Sequence, residues 1–282
     1  METSTGRLWI VATPIGNLGD LAPRAREVLA SAGVVAAEDT RRTGQLLARL
    51  GLERPLVSLH EHNERRRIDS LLSRLHAGED VAVVSDAGTP LVSDPGLLLV
   101  RAANAAGVEV RTVPGPCAAI AAISVAGLPT DRFVFEGFLP SRAAARRARL
   151  DGLRSESRSL VFYEAPQRLA DSLDDMAGTL GETRRAVVAR ELTKLHESVY
   201  HGTLRELADR ARSDPDMSRG EIVVVVEGAS APPAATAAAE IDRVLRVLLK
   251  TLPPSQAAAI AAELTGAGRN ACYARAMSLR EP

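Results

Sequence analysis

The run VAVVSDAGTPLVSDPG, residues 81–96, decides how this chain is read. Val81, Ala82, Val83 and Val84 are apolar without a break, as a strand covered on both faces requires. The small residues of Ser85-Asp86-Ala87-Gly88-Thr89-Pro90 let a ligand approach the backbone, and Asp86 adds a carboxylate acceptor. Ser93-Asp94-Pro95-Gly96 then starts a helix, with Asp94 expected as its N-cap and Pro95 as its first residue. Open α/β sheets bind ligands at the carboxyl ends of their strands, and this loop sits at one. The same residues also make an ordinary capped βα turn.

Working outward, short β-rich segments alternate with helical ones. Strands are expected at 8–13, 34–38, 56–59, 81–84 and 109–113. Helices are expected at 23–32, from a Thr40 cap to about 50, and at 64–76, 95–106 and 118–126. That alternation predicts an α/β fold with a mostly parallel sheet in the first domain. Beyond the turn at 127–131, strands at 132–139, 159–164, 186–192, 198–203 and 221–227 have fewer helices between them, so a mixed sheet is expected in the second. The domains are read as 1–128 and 129–228, then a linker at 229–239 carrying Pro232-Pro233, and a small C-terminal helical module at 240–282 broken at Pro253-Pro254 and residues 266–268.

Composition narrows the function. The 282 residues are 46% hydrophobic and carry no net charge, so no global field draws the chain to nucleic acid or membrane. Cys117 and Cys272 lie far apart in no metal-ligand spacing, which suits a reduced, cytoplasmic protein without structural zinc. The N-terminus lacks the pattern of a signal peptide, and no apolar run is long enough to span a bilayer. Lys194 and Lys250 are the only lysines among 35 basic residues. A lysine kept against such a bias suits a task that arginine performs poorly, such as giving up a proton.

Several charged or polar clusters fall at strand ends. TPIGNLGD (13–20) lacks the GxGxxG spacing and the Walker lysine, which disfavours a dinucleotide or nucleoside triphosphate. AEDTRR (37–42) sets Glu38 and Asp39 beside Arg41 and Arg42, and serves equally as a helix cap with a solvated face. HEHNE (60–64) offers His60 and Asn63 for polar contact with a substrate; no third ligand is evident for a metal. YEAPQR (163–168) places Tyr163 to pack on a flat ring or in the core. RELTKLHE (190–197) gathers titratable groups around Lys194. Residues 141–154 carry Arg142, Arg146, Arg147, Arg149 and Arg154 at helical spacing, either for phosphate contacts or as a solvated face.

TPIGNLGD, AEDTRRTGQLL, HEHNE, VVSDAGTPLVSDPG, VPGPCAAI, FVFEGFLP, YEAPQRL, RELTKLHE and GEIVVVVEG occur in that order. Together they closely resemble the ribosomal RNA small-subunit methyltransferase I family, a branch of the tetrapyrrole methylase superfamily. The resemblance covers residues 8–228, and GRNACY (268–273) is similar to that family's C-terminal module. It implies a two-domain methyltransferase, usually a homodimer, with S-adenosylmethionine held between the domains. The implied reaction methylates a cytidine ribose 2′-hydroxyl in small-subunit ribosomal RNA, free or in the assembled subunit. Carried over by motif, Pro14, Asp86, Ala87, Gly88, Thr89, Cys117, Ala118, Tyr163 and Leu192 contact the cofactor, with Gly220 and Glu221 beside them. Arg41, His60, Asn63, Arg142, Arg146 and Arg190 are the substrate-binding candidates.

The resemblance names no base, so the chemistry is read from the residues. Lys194 is the first candidate, with Glu197 setting its hydrogen bonding and Glu164 or Glu38 nearby. It either loses a proton or steadies a developing alkoxide. Two other functions stay open: a tetrapyrrole C-methyltransferase of the same superfamily, and a non-catalytic RNA-binding assembly factor. HEHNE, YEAPQRL and the C-terminal helices favour the RNA branch over the first, and the intact SDAGTP loop disfavours the second.

Overall fold

The computed structural model describes residues 5–230 and 234–279. They fall into two compact units, residues 1–229 and residues 230–282. The first unit contains two five-stranded sheets. One is built from β1 (Leu8–Val11), β2 (Val34–Ala37), β3 (Leu56–Ser58), β4 (Val81–Val84) and β5 (Val110–Val113), all parallel, in the order β3-β2-β4-β1-β5. β2 and β4 are buried along their whole length. One face of this sheet packs on Leu71, Leu75 and Leu99, the other on Val28, Leu29 and Leu47. Those residues come from the intervening helices α1 (Pro23–Ser31), α2 (Thr40–Arg49), α3 (Glu64–His76) and α4 (Leu97–Ala105). This is the two-sided burial that the apolar run at 81–84 demands.

The second sheet is mixed, as expected. β6 (Phe133–Phe138), β7 (Ser159–Glu164), β8 (Arg185–Arg190), β9 (Ser198–Thr203) and β10 (Ile222–Val226) run in the order β6-β7-β10-β8-β9. β6 and β7 are parallel; β10 is antiparallel to β7 and β8. The start of β10 therefore lies beside the ends of β7 and β8, with Ile222 opposite both Glu164 and Arg190. Helices α6 (Ala143–Asp151), α7 (Leu169–Leu180) and α8 (Leu204–Ser213) cover one face; α5 (Ala118–Ala126) covers the other through Ala122 and Ile123.

Two helix starts differ from the sequence reading. Asp39, not Thr40, caps α2, its carboxylate accepting the Arg41 N–H at 2.8 Å. α4 begins at Leu97 with Gly96 before it, so neither Asp94 nor Pro95 starts it. Left-handed backbone at Leu91 (φ 70°) and Ser93 (φ 66°) holds this stretch out of the helix. The capping task passes to Glu64 of α3, whose carboxylate accepts the N–H groups of Leu98 (2.8 Å) and Leu99 (3.1 Å).

The second unit is helical: α9 (Ala234–Leu248), α10 (Pro254–Thr265) and α11 (Arg269–Ser278) close on Leu245, Ala257, Ala261 and Cys272. Residues 234–239 belong to α9 rather than to a linker, because an alanine-rich run favours helix over coil. Pro232 and Pro233 lie outside the described residues.

Candidate active site

Threonines pin the loop after β4. The Thr13 N–H donates to the Gly88 carbonyl at 2.8 Å, and the Gly88 N–H returns to Thr13 at 3.1 Å. The Thr89 hydroxyl donates to the Pro116 carbonyl at 3.0 Å. Gly88 takes φ 85°, and a Cβ there would crowd Ile15 at 3.3 Å. These bonds tie the loops after β1, β4 and β5 into one rim. The ends of β7 and β8 and the start of β10 face it, and a cavity of about 420 Å³ lies between. That size suits a small-molecule ligand.

Every cofactor candidate except Pro14 lies on the cavity wall, where Ile15 takes the place assigned to Pro14. The candidate acids Glu38 and Glu164 are on it too. Leu192 and Val223 give the second sheet's side an apolar surface, and Tyr163 packs edge-on against Phe135 and Phe138. Burial pushes the Tyr163 phenol up, with Cys117 beside it adding to the effect, so it remains a neutral ring. The wall also carries Arg42, which the sequence reading set beside Glu38 in a charged rim at this sheet edge, and Ser93 and Asp94, which it took for helix-starting residues.

The polar side is strongly acidic. Asp86 accepts the Asp39 N–H at 2.9 Å and pairs with Arg42 at 3.2 Å; its own N–H reaches Glu38 at 3.3 Å. Burial raises Glu38 above the ordinary carboxylate range, and the Asp86 charge adds to the shift. Asp94 is pushed up to about 6 by burial and then by the Glu38 charge, with the neighbouring Ser85 hydroxyl opposing. Carboxylates gathered in a partly dry cleft make a receptor for a cation.

Lys194 departs from the expected arrangement. Its ammonium pairs with Glu191 at 2.8 Å and Glu221 at 3.2 Å. Glu197 does not set its hydrogen bonding, because its carboxylate accepts the Thr193 N–H at 2.5 Å instead. Burial pulls the Lys194 pKa down, but Glu191 and Glu221 outweigh it and hold the amine above its ordinary value. Its two acidic partners therefore favour the charged form of Lys194, which suits a donor better than a base. Its stem runs over Gly16, where a Cβ would meet Lys194 Cγ at 2.3 Å. Glu191 and Thr193 take φ 52° and 67°, so the second loop of the site is strained like the first.

Most substrate candidates are committed elsewhere. Arg146 is buried and bonds Asp175 at 2.6 Å. Arg190 is buried and donates to the carbonyls of Arg219 (2.8 Å) and His196 (3.0 Å). Asn63 locks its own loop, accepting from the His60 N–H and donating to Ser58. Arg41 is not part of the cavity wall and pairs with Asp39 at 2.8 Å. On the 141–154 arginine face, Arg147 shares Asp175, Arg149 pairs with Glu136 and Arg154 donates to the Thr179 carbonyl, so Arg142 and Arg154 have no acidic partner among the described residues. His60 keeps a buried Nδ1 without a hydrogen-bond partner, its ring edge-on to His62. No cluster of metal ligands occurs among the described residues. A signal for Arg42 was present: it follows Asp39 by three residues, which places it on the same side of α2 as the cap.

Residues 7–208 match the family model described as Tetrapyrrole (Corrin/Porphyrin) Methylases, and residues 235–280 match that of the RsmI C-terminal HTH domain. The ribosomal RNA small subunit methyltransferase I of Xylella fastidiosa is 55% identical over 271 residues, 96% of this chain and 99% of that protein. Among solved structures, the methyltransferase CobJ superposes with a TM-score of 0.60 at 23% identity, covering 82% of this chain and 97% of that one. A uroporphyrin-III C-methyl transferase from Thermus thermophilus, complexed with S-adenyl homocysteine, gives 0.54 at 21% identity, covering 79% and 97%.

Proposed function

This chain belongs to the tetrapyrrole methylases and, within them, to the ribosomal RNA small subunit methyltransferase I family, and on that premise we propose that it methylates a cytidine ribose 2′-hydroxyl of 16S ribosomal RNA, presented in the small subunit. The observation that carries the reading is the cavity, walled by both sheets and lined by carboxylates together with apolar groups such as Ile15, Leu192 and Val223. S-adenosylmethionine fits it on chemical grounds. Its sulfonium and ammonium suit Glu38 and Asp86, and its adenine suits Ile15, Leu192 and the neutral Tyr163 ring. When bound, this cofactor supplies an electrophilic methyl on a positively charged sulfur.

The protein's part is then to hold, align and exclude water. Residues 86–89, Cys117 and Ala118 would hold the cofactor from the first sheet, and Tyr163 and Leu192 from the second. Arg42 on the cavity wall, and Lys194 paired with Glu221 of that wall, offer positive charge that suits an incoming phosphate backbone or a developing alkoxide. The helical second unit supports an RNA partner by its match to an HTH family. Two copies of the chain are proposed to assemble, which Ile120 and Val125, apolar and exposed on α5, support. No helix among the described residues is long and apolar enough to cross a membrane.

The test supplies labelled S-adenosylmethionine with small ribosomal subunits, free 16S RNA or uroporphyrinogen, then maps ribose methylation. Label on a cytidine 2′-oxygen of the RNA is the expected result. Label on uroporphyrinogen alone moves the chain to the tetrapyrrole branch. Cofactor binding without transfer to any acceptor leaves an assembly factor.

A further inference from the structure

We propose that Asp94 is the catalytic residue that takes the proton from the attacking hydroxyl, an assignment that rests on the methyl transfer proposed above. The charged form of Lys194 is favoured, so a base is sought among the carboxylates of the cavity wall. There are five: Glu38, Asp86, Asp94, Glu164 and Glu221. Glu164 is fully buried and accepts from Ala165, Arg168 and Ser172. Asp86 is held by Asp39 and Arg42. Glu221 pairs with Lys194 and stands largely in solvent. Glu38 accepts the Asp86 N–H and feels the Arg42 charge. Asp94 has no basic partner among the described residues, and the nearby Ser85 hydroxyl is directed to the carbonyls of Ala87 and Gly88.

The fold frees this carboxylate. A helix would have engaged Asp94 at its N-terminus, but Glu64 caps α4 and the left-handed turns at Leu91 and Ser93 direct the preceding loop to the cavity. The groups that face Asp94 are Glu38 from the end of β2, Ser85 and Asp86 from the end of β4, and Tyr163 from β7; Arg42 reaches only as far as Asp86. Burial, and then the neighbouring Glu38 charge, make the Asp94 carboxylate a stronger base than an exposed one. With its pKa near 6, Asp94 is ionised at neutral pH yet more basic than an exposed carboxylate.

The step balances. The hydroxyl oxygen forms its bond to the methyl carbon while the carbon–sulfur bond breaks. That bond's electron pair stays on sulfur, which becomes a neutral thioether, and the hydroxyl proton passes to the Asp94 carboxylate. Release of the proton to solvent resets the site.

The experiment compares wild type, Asp94→Asn and Asp94→Glu. Affinity for S-adenosylhomocysteine is read by calorimetry, folding by thermal melting, and single-turnover methylation of small subunits from pH 5 to 9. Asp94→Asn should bind S-adenosylhomocysteine within about threefold of wild type and react about a hundredfold or more slowly, the range for loss of a general base. The acid limb near pH 6 should vanish in Asp94→Asn and persist in Asp94→Glu with part of the rate. Wild-type turnover by Asp94→Asn overturns the assignment. So does a loss of S-adenosylhomocysteine affinity beyond tenfold, which makes Asp94 a cofactor ligand. A wild-type enzyme that methylates no subunit overturns the underlying reading, and the assignment with it.

Discussion

Arg146 separates a structural arginine from a substrate-binding one. Its guanidinium is about 5% exposed and bonds Asp175 through both Nε (2.7 Å) and a terminal nitrogen (2.6 Å). Removing one partner of a buried ion pair costs about 3–5 kcal/mol, because the other charge is left uncompensated. Here Arg147, 55% exposed, still reaches Asp175 at 3.2 Å and relieves part of that penalty. Arg146→Met keeps the stem's packing, so the loss should fall at the low end, about 3 kcal/mol. For a unit of some 229 residues, at about 2–4 °C per kcal/mol, the melting temperature drops by about 6–12 °C. Adding Asp175→Asn to Arg146→Met should recover much of the loss, since no buried charge then lacks a partner. The Michaelis constant for small subunits should be unchanged below the melting range. A phosphate contact makes the opposite pattern: unchanged melting, weaker subunit binding, and a salt dependence shallower by about 0.7–0.9 in the log–log slope. That second pattern would refute the reasoning and restore Arg146 as an RNA contact.

Three further predictions follow from the site. Lys194→Ala should slow turnover by about a hundredfold, the lower range for losing one stabilising donor, yet keep the acid limb of the pH–rate profile, since Lys194 stays charged throughout. A lost acid limb counts against this account. Gly16→Ala should lower turnover to a similar degree, because its methyl would occupy the place of Lys194 Cγ; the double variant should be no worse than either single one, and additive losses in single-turnover assays separate the two residues. In the unliganded protein, Asp94 holds its proton more tightly folded than unfolded, so ionisation costs stability as the pH rises from about 4 through 6. Asp94→Asn should therefore melt above wild type at pH 8, with the difference shrinking towards pH 4; a pH-independent difference in scanning fluorimetry contradicts that sign.

The cavity was legible in the sequence because its parts are local. Small residues after an apolar strand, repeated at 13–20 and 85–96, mark where a chain leaves a buried sheet and lets a ligand near its backbone. Ala87, Gly88 and Thr89, which the family resemblance assigns to the cofactor, lie in the second of these stretches and on the cavity wall. The arginines were not legible, because helical spacing says which residues share a face and nothing of what opposes them. Arg146 and Arg190 look like solvated charges until Asp175 and the carbonyls of Arg219 and His196 are in place.

By itself the sequence determined the α/β alternation, the parallel first sheet and mixed second one, and the strand ends that converge on the site, since all of these follow from periodicity and turn chemistry within a few residues. Only the tertiary structure decided the partners. Glu64, more than thirty residues upstream of Leu98, caps α4 and leaves Asp94 to the cavity; Glu191 and Glu221 keep Lys194 charged; Asp175 takes Arg146 out of solvent. The chemistry of a charged side chain is set by what lies within about 4 Å of it, and in this fold those neighbours often come from distant parts of the chain.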